Sequence, residues 1–530
     1  MHSNPQKSTV LSRSAVLVAV LLLVLGASTS KAEASQFNRA DGLMSAWQMA
    51  EAREAIDALK KSQPNAPEIL FLEGRFQFYS GNYDEALKKL ESAVEAGGER
   101  GAWVQLRDIV RSTLNVTKDY ERHVSPSGNF EIFIEAGRDR VLLPYAFEAL
   151  DKAYEAFGEE IGYKPATPIR VEIYPRTSVL AQVSVLTEDE IRTSGTIALC
   201  QYNRLMITSP RALMRGYGWV DTLIHEYVHY VINSKTYNRV PIWMHEGLAK
   251  YLERRWRGPD AHQLALSSEQ LLHDRLKANT LISFDDMHPS MAKLPSQEDA
   301  ALAFAEVYTV MEYFQKEVGP GAFAKLLDTI NEGYEAPEAF ARVLGTTFTQ
   351  FERDWLAYLK TRPTPDLPEE TSFEDKLVFK EDPQVAGELD HIKQPEARDH
   401  ILLGEMLQAR QRYGAAVVQY EKALDLVGTK NPVLQTRLAQ SLIKTDQPKA
   451  AIEHLLAVRE VFPGYVTTWV ELGRAYLAME EWAEARDHLL EAGRINPFNP
   501  EVHSLLARAY DKLGEAELAA RERDFAQLVR

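Results

Sequence analysis

HEYVHYVINSKTYNRVPIWMHEGLAKY, residues 225–251, decides how this chain is read. His225 and His229 stand four apart, a spacing that on an α-helix puts both imidazoles on one face, where they can share a single cation. Glu226, beside the first histidine, is placed to take up a proton. After a short polar turn, Asn233 to Arg239, a second helical stretch with apolar Trp243, Leu248 and Leu252 folds back beside the first. Glu246 opens that stretch and is the expected third ligand, because two histidines and a carboxylate, with one position left for water, form a recurring catalytic zinc set. Zinc brings the pKa of its water down to roughly 7 in well-studied enzymes. Glu226 would then act as general base and carry the proton to the leaving amine. The residues read as a zinc hydrolase site with one Zn2+ ion and peptides as its products. The plain alternative is an amphipathic helix that carries His-Glu-His by chance. Apolar Leu223, Ile224, Tyr227, Val228, Val231 and Ile232 weigh against it, since a chain without a metal gains little by putting these polar groups into so buried a helix.

Asp119 to Arg362 resembles the gluzincin metallopeptidases, specifically the peptidase MA-like domains joined to tetratricopeptide repeats in bacterial exported proteins. The most specific part is Trp243-Met-His-Glu246-Gly247-Leu-Ala249-Lys-Tyr251, which is similar to the Trp-x-x-Glu-Gly-x-Ala segment that carries the glutamate ligand there. The resemblance implies His225, His229 and Glu246 as zinc ligands and Glu226 as base. Thermolysin-like members carry an Asp four residues after the glutamate ligand to orient a histidine, whereas Lys250 stands here. Asp221, one turn before His225, is the substitute expected, with a helix N-cap as its alternative role. Such domains also place a Tyr segment on a later helix, which makes Tyr308 the expected oxyanion donor, set against an ordinary core position. His245 reads as a surface or supporting histidine. His123, His262, His273 and His288 show no ligand spacing.

With 530 residues the chain exceeds what one core serves, and its 45% hydrophobic and 26% charged content is that of globular domains. Lys7 and Arg13 precede an apolar run, Ala15 to Leu25, and Ala32-Glu33-Ala34 follows. That is the pattern of a secretory signal peptide, with an uncleaved anchor disfavoured because the run is shorter than the ~20 residues a bilayer requires. A periplasmic or secreted location in a bacterial envelope is expected, with no stable membrane span in the mature chain. Removing Lys7, Arg13, Lys31 and Glu33 with this segment moves the net charge from −16 to −18, which makes nucleic acid an unsuitable partner. Cys200 is the single cysteine, so no intramolecular disulfide forms.

Both flanks repeat. Gly404, Ala439, Gly473 and Ala507 recur at 35, 34 and 34 residues, with Ala416, Ala451, Ala485 and Ala519 twelve positions after each. This is the tetratricopeptide period, and small residues at these phases let paired helices approach closely. Ala40 and Gly74, and Ala52 and Ala86, repeat it at 34 residues near the N-terminus. The organisation expected is a signal peptide over 1–34, repeats over 35–115, a metallopeptidase domain over 116–362, a Pro- and acid-rich linker over 363–397, and repeats over 398–530. The fold class is multidomain and mainly α, with an α+β central domain between helical arrays. In that domain Asn129–Glu135, Ile169–Tyr174 and Asn203–Thr208 read as strands, Leu143–Phe157 as a helix, and Glu298–Lys316, Phe323–Glu332 and Phe348–Lys360 as later helices. Asn203–Thr208, with Thr196–Leu199 before it, is the segment expected to pair with a peptide substrate, or else an interior strand.

The function expected is an exported zinc metallopeptidase whose repeats recruit substrate or a protein partner. The alternative is a catalytically silent scaffold or envelope assembly protein that keeps the metal-binding fold.

Overall fold

The computed structural model describes residues 31–364 and 392–530 together with 389, apart from 262, 289–290, 292–293 and 429–430. The apolar run Ala15–Leu25 and most of the 363–397 linker lie outside the described residues. The chain forms two compact units, Met1–Asn115 and Val116–Arg530.

In the first unit, helices α1 (Lys31–Ser45), α2 (Met49–Ser62), α3 (Pro67–Tyr79) and α4 (Tyr83–Gly97) form two antiparallel pairs, and α5 (Gly101–Thr117) begins after them. Ala40, Ala52 and Ala86, the small residues at the repeated phases, are fully buried. Glu73 is buried between Lys60 and Lys89, at 2.5 and 2.9 Å.

The second unit starts with a five-stranded mixed sheet of β1 (Tyr120–Val124), β2 (Phe130–Glu135), β3 (Ile169–Tyr174), β4 (Ala198–Gln201) and β5 (Arg204–Thr208), in the order β1-β2-β3-β5-β4. β2, β3 and β5 are parallel, and β1 and β4 flank them antiparallel. Helix α6 (Leu143–Glu160) connects β2 to β3, the crossover that a parallel pair requires. Short helices α7 (Thr177–Val183) and α8 (Glu188–Ser194) pack Val179, Leu180, Val183 and Ile191 against Tyr174 and Met206. The expected strands are present, with β5 interior between β3 and β4. Its edges are taken, so of the segment expected to pair with a peptide, only β4 is an edge strand.

Helices α9 (Trp219–Thr236) and α10 (Ile242–Leu252) carry residues 225–251. The first of them runs to Thr236, beyond the expected start of the turn at Asn233, and ends where Tyr237 and Asn238 adopt positive φ of 56° and 60°. Tyr227 on α9 packs between Phe130 of the sheet and Phe157 of α6, with ring centroids at 5.2 and 5.5 Å. At its far end the buried Lys235 donates to Ile161 O (2.7 Å) and pairs with Asp328 (2.7 Å). Helices α11 (Leu266–Ala278), α12 (Gln297–Val318), α13 (Ala322–Asn331), α14 (Ala336–Leu344) and α15 (Phe348–Leu359) complete this region. Gly247 lets α10 lie against α12: a Cβ there would sit 2.9 Å from Val307 O.

The remaining helices form four antiparallel pairs, α16 (Pro395–Ala409) with α17 (Tyr413–Val427), α18 (Pro432–Lys444) with α19 (Pro448–Val461), α20 (Val466–Ala478) with α21 (Trp482–Ile495), and α22 (Pro500–Leu513) with α23 (Ala516–Leu528). Ala416, Ala451, Ala485 and Ala519 are fully buried. Across successive pairs Gln408 donates to Gln440 (3.1 Å) and Gln440 to Glu471 (2.9 Å). The linker separates this array from the central domain in sequence only, because α21 packs on α9 within the same unit. No described helix is long and apolar enough to cross a membrane.

At Gly473 an added Cβ would lie 2.5 Å from Leu489 Cγ, whereas at Gly414 it would meet nothing within 4 Å. Gly473→Val is expected to destabilise the chain by about 1–3 kcal/mol through overpacking, and Gly414→Ala to stabilise it by up to about 1 kcal/mol. Denaturant unfolding of the two variants should move in opposite directions.

Candidate metal centre

The fold brings both halves of the 225–251 stretch together. Leu223, Ile224, Tyr227, Val228, Val231 and Ile232 are fully buried, which fixes the rotation of α9 and turns His225 and His229 towards α10. Donor atoms of His225, Glu226 and His229 lie within 4.8 Å of one another, a group able to hold a metal ion. Glu246 Oε2 stands 3.3 Å from His225 Nε2 and 3.5 Å from His229 Nε2. Bonds of about 2.0–2.1 Å at tetrahedral angles hold ligand atoms roughly 3.3 Å apart, so these spacings and this donor set fit zinc.

Each imidazole is held from behind by its second nitrogen. His225 Nδ1 meets Glu253 Oε2 at 3.1 Å, and Lys250 pairs with the other Glu253 oxygen at 2.6 Å. The carboxylate that supports this histidine therefore stands seven residues after Glu246, and Lys250, one turn earlier on α10, neutralises its remaining charge. His229 Nδ1 hydrogen-bonds His245 Nδ1, and His245 Nε2 donates to Asn233 Oδ1 at 2.7 Å. Burial and the neighbouring His229 hold the His245 pKa well below the usual histidine range, so its ring is neutral. With Nε2 donating to Asn233, His245 Nδ1 must accept from His229 Nδ1–H, which leaves the His229 Nε2 lone pair facing the cluster.

Electrostatics follow the same contacts. Burial opposes charge on His225, but hydrogen bonds and charges from Glu246 and Glu253 outweigh it and raise its pKa to about 10. Glu246 is held well below the carboxylate range, its burial outweighed by the two histidines. Glu226 is pushed up, first by burial, against the lowering effect of His229, His225 and the backbone N–H of Cys200. Strand β4 thus touches the site through that N–H.

Asp221 neither caps α9 nor bonds His225 directly. The cap position of α9 is Gly218, and Asp221 accepts instead from Trp256 Nε1 (3.1 Å) and pairs with Arg257 (3.0 Å). Tyr308 is 2% exposed and packs on Tyr251 with ring centroids at 5.5 Å. The charged groups that act on its hydroxyl are Glu312, Arg362 and Glu269, so the fold places it in the core of α12 rather than with the cluster. Sequence reasoning missed Glu253, Asn233 and the bond of His245 to His229. The signal for Glu253 was its position two helical turns after Glu246, on the same face of α10.

His245→Ala would leave His229 Nδ1 without its buried acceptor. Zinc affinity is expected to fall roughly 10- to 100-fold, measured by competition with a chromophoric chelator.

Comparison with known proteins agrees with this division. Residues 149–361 match the family described as Peptidase MA superfamily, and residues 37–100 and 446–509 match families described as Tetratricopeptide repeat. A curated relative, the TPR repeat-containing protein YpiA of Bacillus subtilis (strain 168), is 30% identical over 121 residues, which span 22% of this chain and 27% of that protein's length. Among solved structures, a thermophilic TPR protein of Thermus thermophilus is 25% identical, covering 25% of this chain and 74% of that chain, with a TM-score of 0.24. MamA is 19% identical, covering 25% of this chain and 78% of that chain, also with a TM-score of 0.24. The chain therefore carries a peptidase MA superfamily domain over residues 149–361, flanked on both sides by tetratricopeptide repeats.

Proposed function

We propose that this chain is an exported zinc metallopeptidase that hydrolyses peptide bonds, with His225, His229 and Glu246 holding one zinc ion and Glu226 acting as general base. The observation that carries this reading is the triangle of His225 Nε2, His229 Nε2 and Glu246 Oε2, with distances of 3.3 and 3.5 Å from the carboxylate oxygen, inside a peptidase MA superfamily domain. Zinc bound there supplies Lewis acidity to a water molecule and to the peptide carbonyl. Glu226 removes the proton of the attacking water and delivers it to the leaving amine. Burial pushes its pKa up in the metal-free protein, which strengthens it as a base towards the attacking water. The Cys200 N–H holds the carboxylate in place. His245, Asn233 and Glu253 keep the imidazoles oriented. Edge strand β4, beside Glu226, pairs with β5 on one side only, and its other side, apart from the Cys200 N–H, is the edge we assign to an extended peptide substrate. The tetratricopeptide arrays recruit substrate or a protein partner. The Lys7, Arg13 and Ala15–Leu25 pattern supports export to the periplasm or beyond it.

Glu226→Gln is expected to keep zinc at wild-type stoichiometry and to lose peptide cleavage by roughly 10²- to 10⁴-fold. Digestion of a mixed peptide library, read by mass spectrometry beside the unmodified protein, tests this. Equal cleavage by both proteins would refute the assignment, and cleavage by neither would favour a binding scaffold.

Glu246 and Glu253 keep a proton on His225 up to about pH 10 in the protein alone, and zinc must displace it. Zinc uptake should therefore release a proton, and affinity should rise by up to about tenfold per pH unit between pH 6 and 8. Calorimetric titration in two buffers of different ionisation enthalpy measures the released proton directly.

A further inference from the structure

Helix α21 of the C-terminal array ends against the segment that leads into α9. The last carbonyls of a helix lack intrahelical partners, and here two of them find partners at the start of the metal-binding helix. Tyr217 N–H donates to Ile495 O at 3.1 Å, and the buried Trp219 Nε1 donates to Gly493 O at 3.4 Å. Two glycines permit this approach. Gly216, at φ +75°, passes the Ile495 carbonyl, and a Cβ there would also meet Asn496 Cβ at 2.7 Å. Gly493 lies against the Tyr145 ring with no room for a Cβ.

A charged link runs beside these backbone bonds. Arg257 reaches Glu491 of α21 at 2.6 Å and Asp221 of α9 at 3.0 Å. Glu491 is also paired with Arg494, which reaches Glu148 of α6 at 3.1 Å. Asp221 lies one turn before His225. The third C-terminal repeat thus grips the first turn of α9 by main chain and by charge, while Lys235 anchors its last turn.

We propose that α21 is a positioning element for the metal centre, and that Glu491 is a positioning residue acting through Arg257 and Asp221 on the turn that carries His225. Occupation of the site and the conformation of the C-terminal array are then energetically linked. This rests on the reading of His225, His229 and Glu246 as metal ligands.

The test uses the full chain and Co2+ as probe, with affinity from chelator competition, the visible absorption of bound Co2+, and thermal unfolding recorded together. Glu491→Gln should weaken Co2+ binding by roughly 2- to 30-fold and alter the absorption bands. Glu491→Asp should restore part of both, and Gly493→Ala, which forces α21 off Tyr145, should reproduce the change. Glu491→Asp also carries the test if the amide variant does not fold, since its shorter reach should give a smaller shift in the same direction. A lower unfolding temperature with wild-type affinity and spectrum would reduce the contact to structural cement and overturn the proposal. No Co2+ binding by the unmodified protein would instead overturn the metal-centre reading beneath it.

Discussion

Three imidazoles and several carboxylates share a largely buried space, and the rest of this domain is arranged to make that tolerable. A buried charge without a partner costs far more than a single hydrogen bond returns. Here His225 answers to Glu246 and Glu253, His229 to Glu246 and His245, His245 to Asn233, and Glu253 to Lys250. The network closes with a proton on His225, and a divalent cation that enters displaces that proton and adds one net positive charge. It also requires α9 and α10 to hold one rotation each, and the apolar faces of both helices supply that constraint.

Holding α9 still is accordingly a shared task. Tyr227 is wedged between the sheet and α6, Lys235 bonds the last turn to α6 and α13, and α21 engages the first turn. Gly247 brings α10 against α12 closely enough that its backbone cannot shift without moving a whole helix. The repeats of this unit are therefore part of the scaffold that presents the site, and a boundary drawn through the linker does not describe how the unit is built.

Much of this was legible in the residues, for identifiable reasons. His225, Glu226 and His229 depend only on helical periodicity, and Glu246 on a second helix folding back, which a short turn makes nearly unavoidable. The repeats were legible because small residues recur wherever two helices touch. What escaped were contacts that depend on side-chain direction or on distant chain. Asp221 has the spacing of a supporting carboxylate, but Arg257 and Trp256 claim it. Glu253 does that work from the neighbouring helix. Tyr308 sits on an apolar helical face like a catalytic tyrosine and like a core one, and only packing separates the two. β5 reads as a strand either way, and whether it lies inside or at the edge depends on β4, a strand of four residues with weak alternation.

The Gln408, Gln440 and Glu471 ladder ties together the first helices of three successive repeats. Stacked repeats also meet through close-packed apolar contacts, which here form one core across the first three pairs but set no bond direction. Directional bonds between side chains resist sliding, because each has a preferred length and angle. The array should therefore behave less like a string of beads and more like a coiled spring of fixed pitch, in which tension applied at the first repeat is felt at the third.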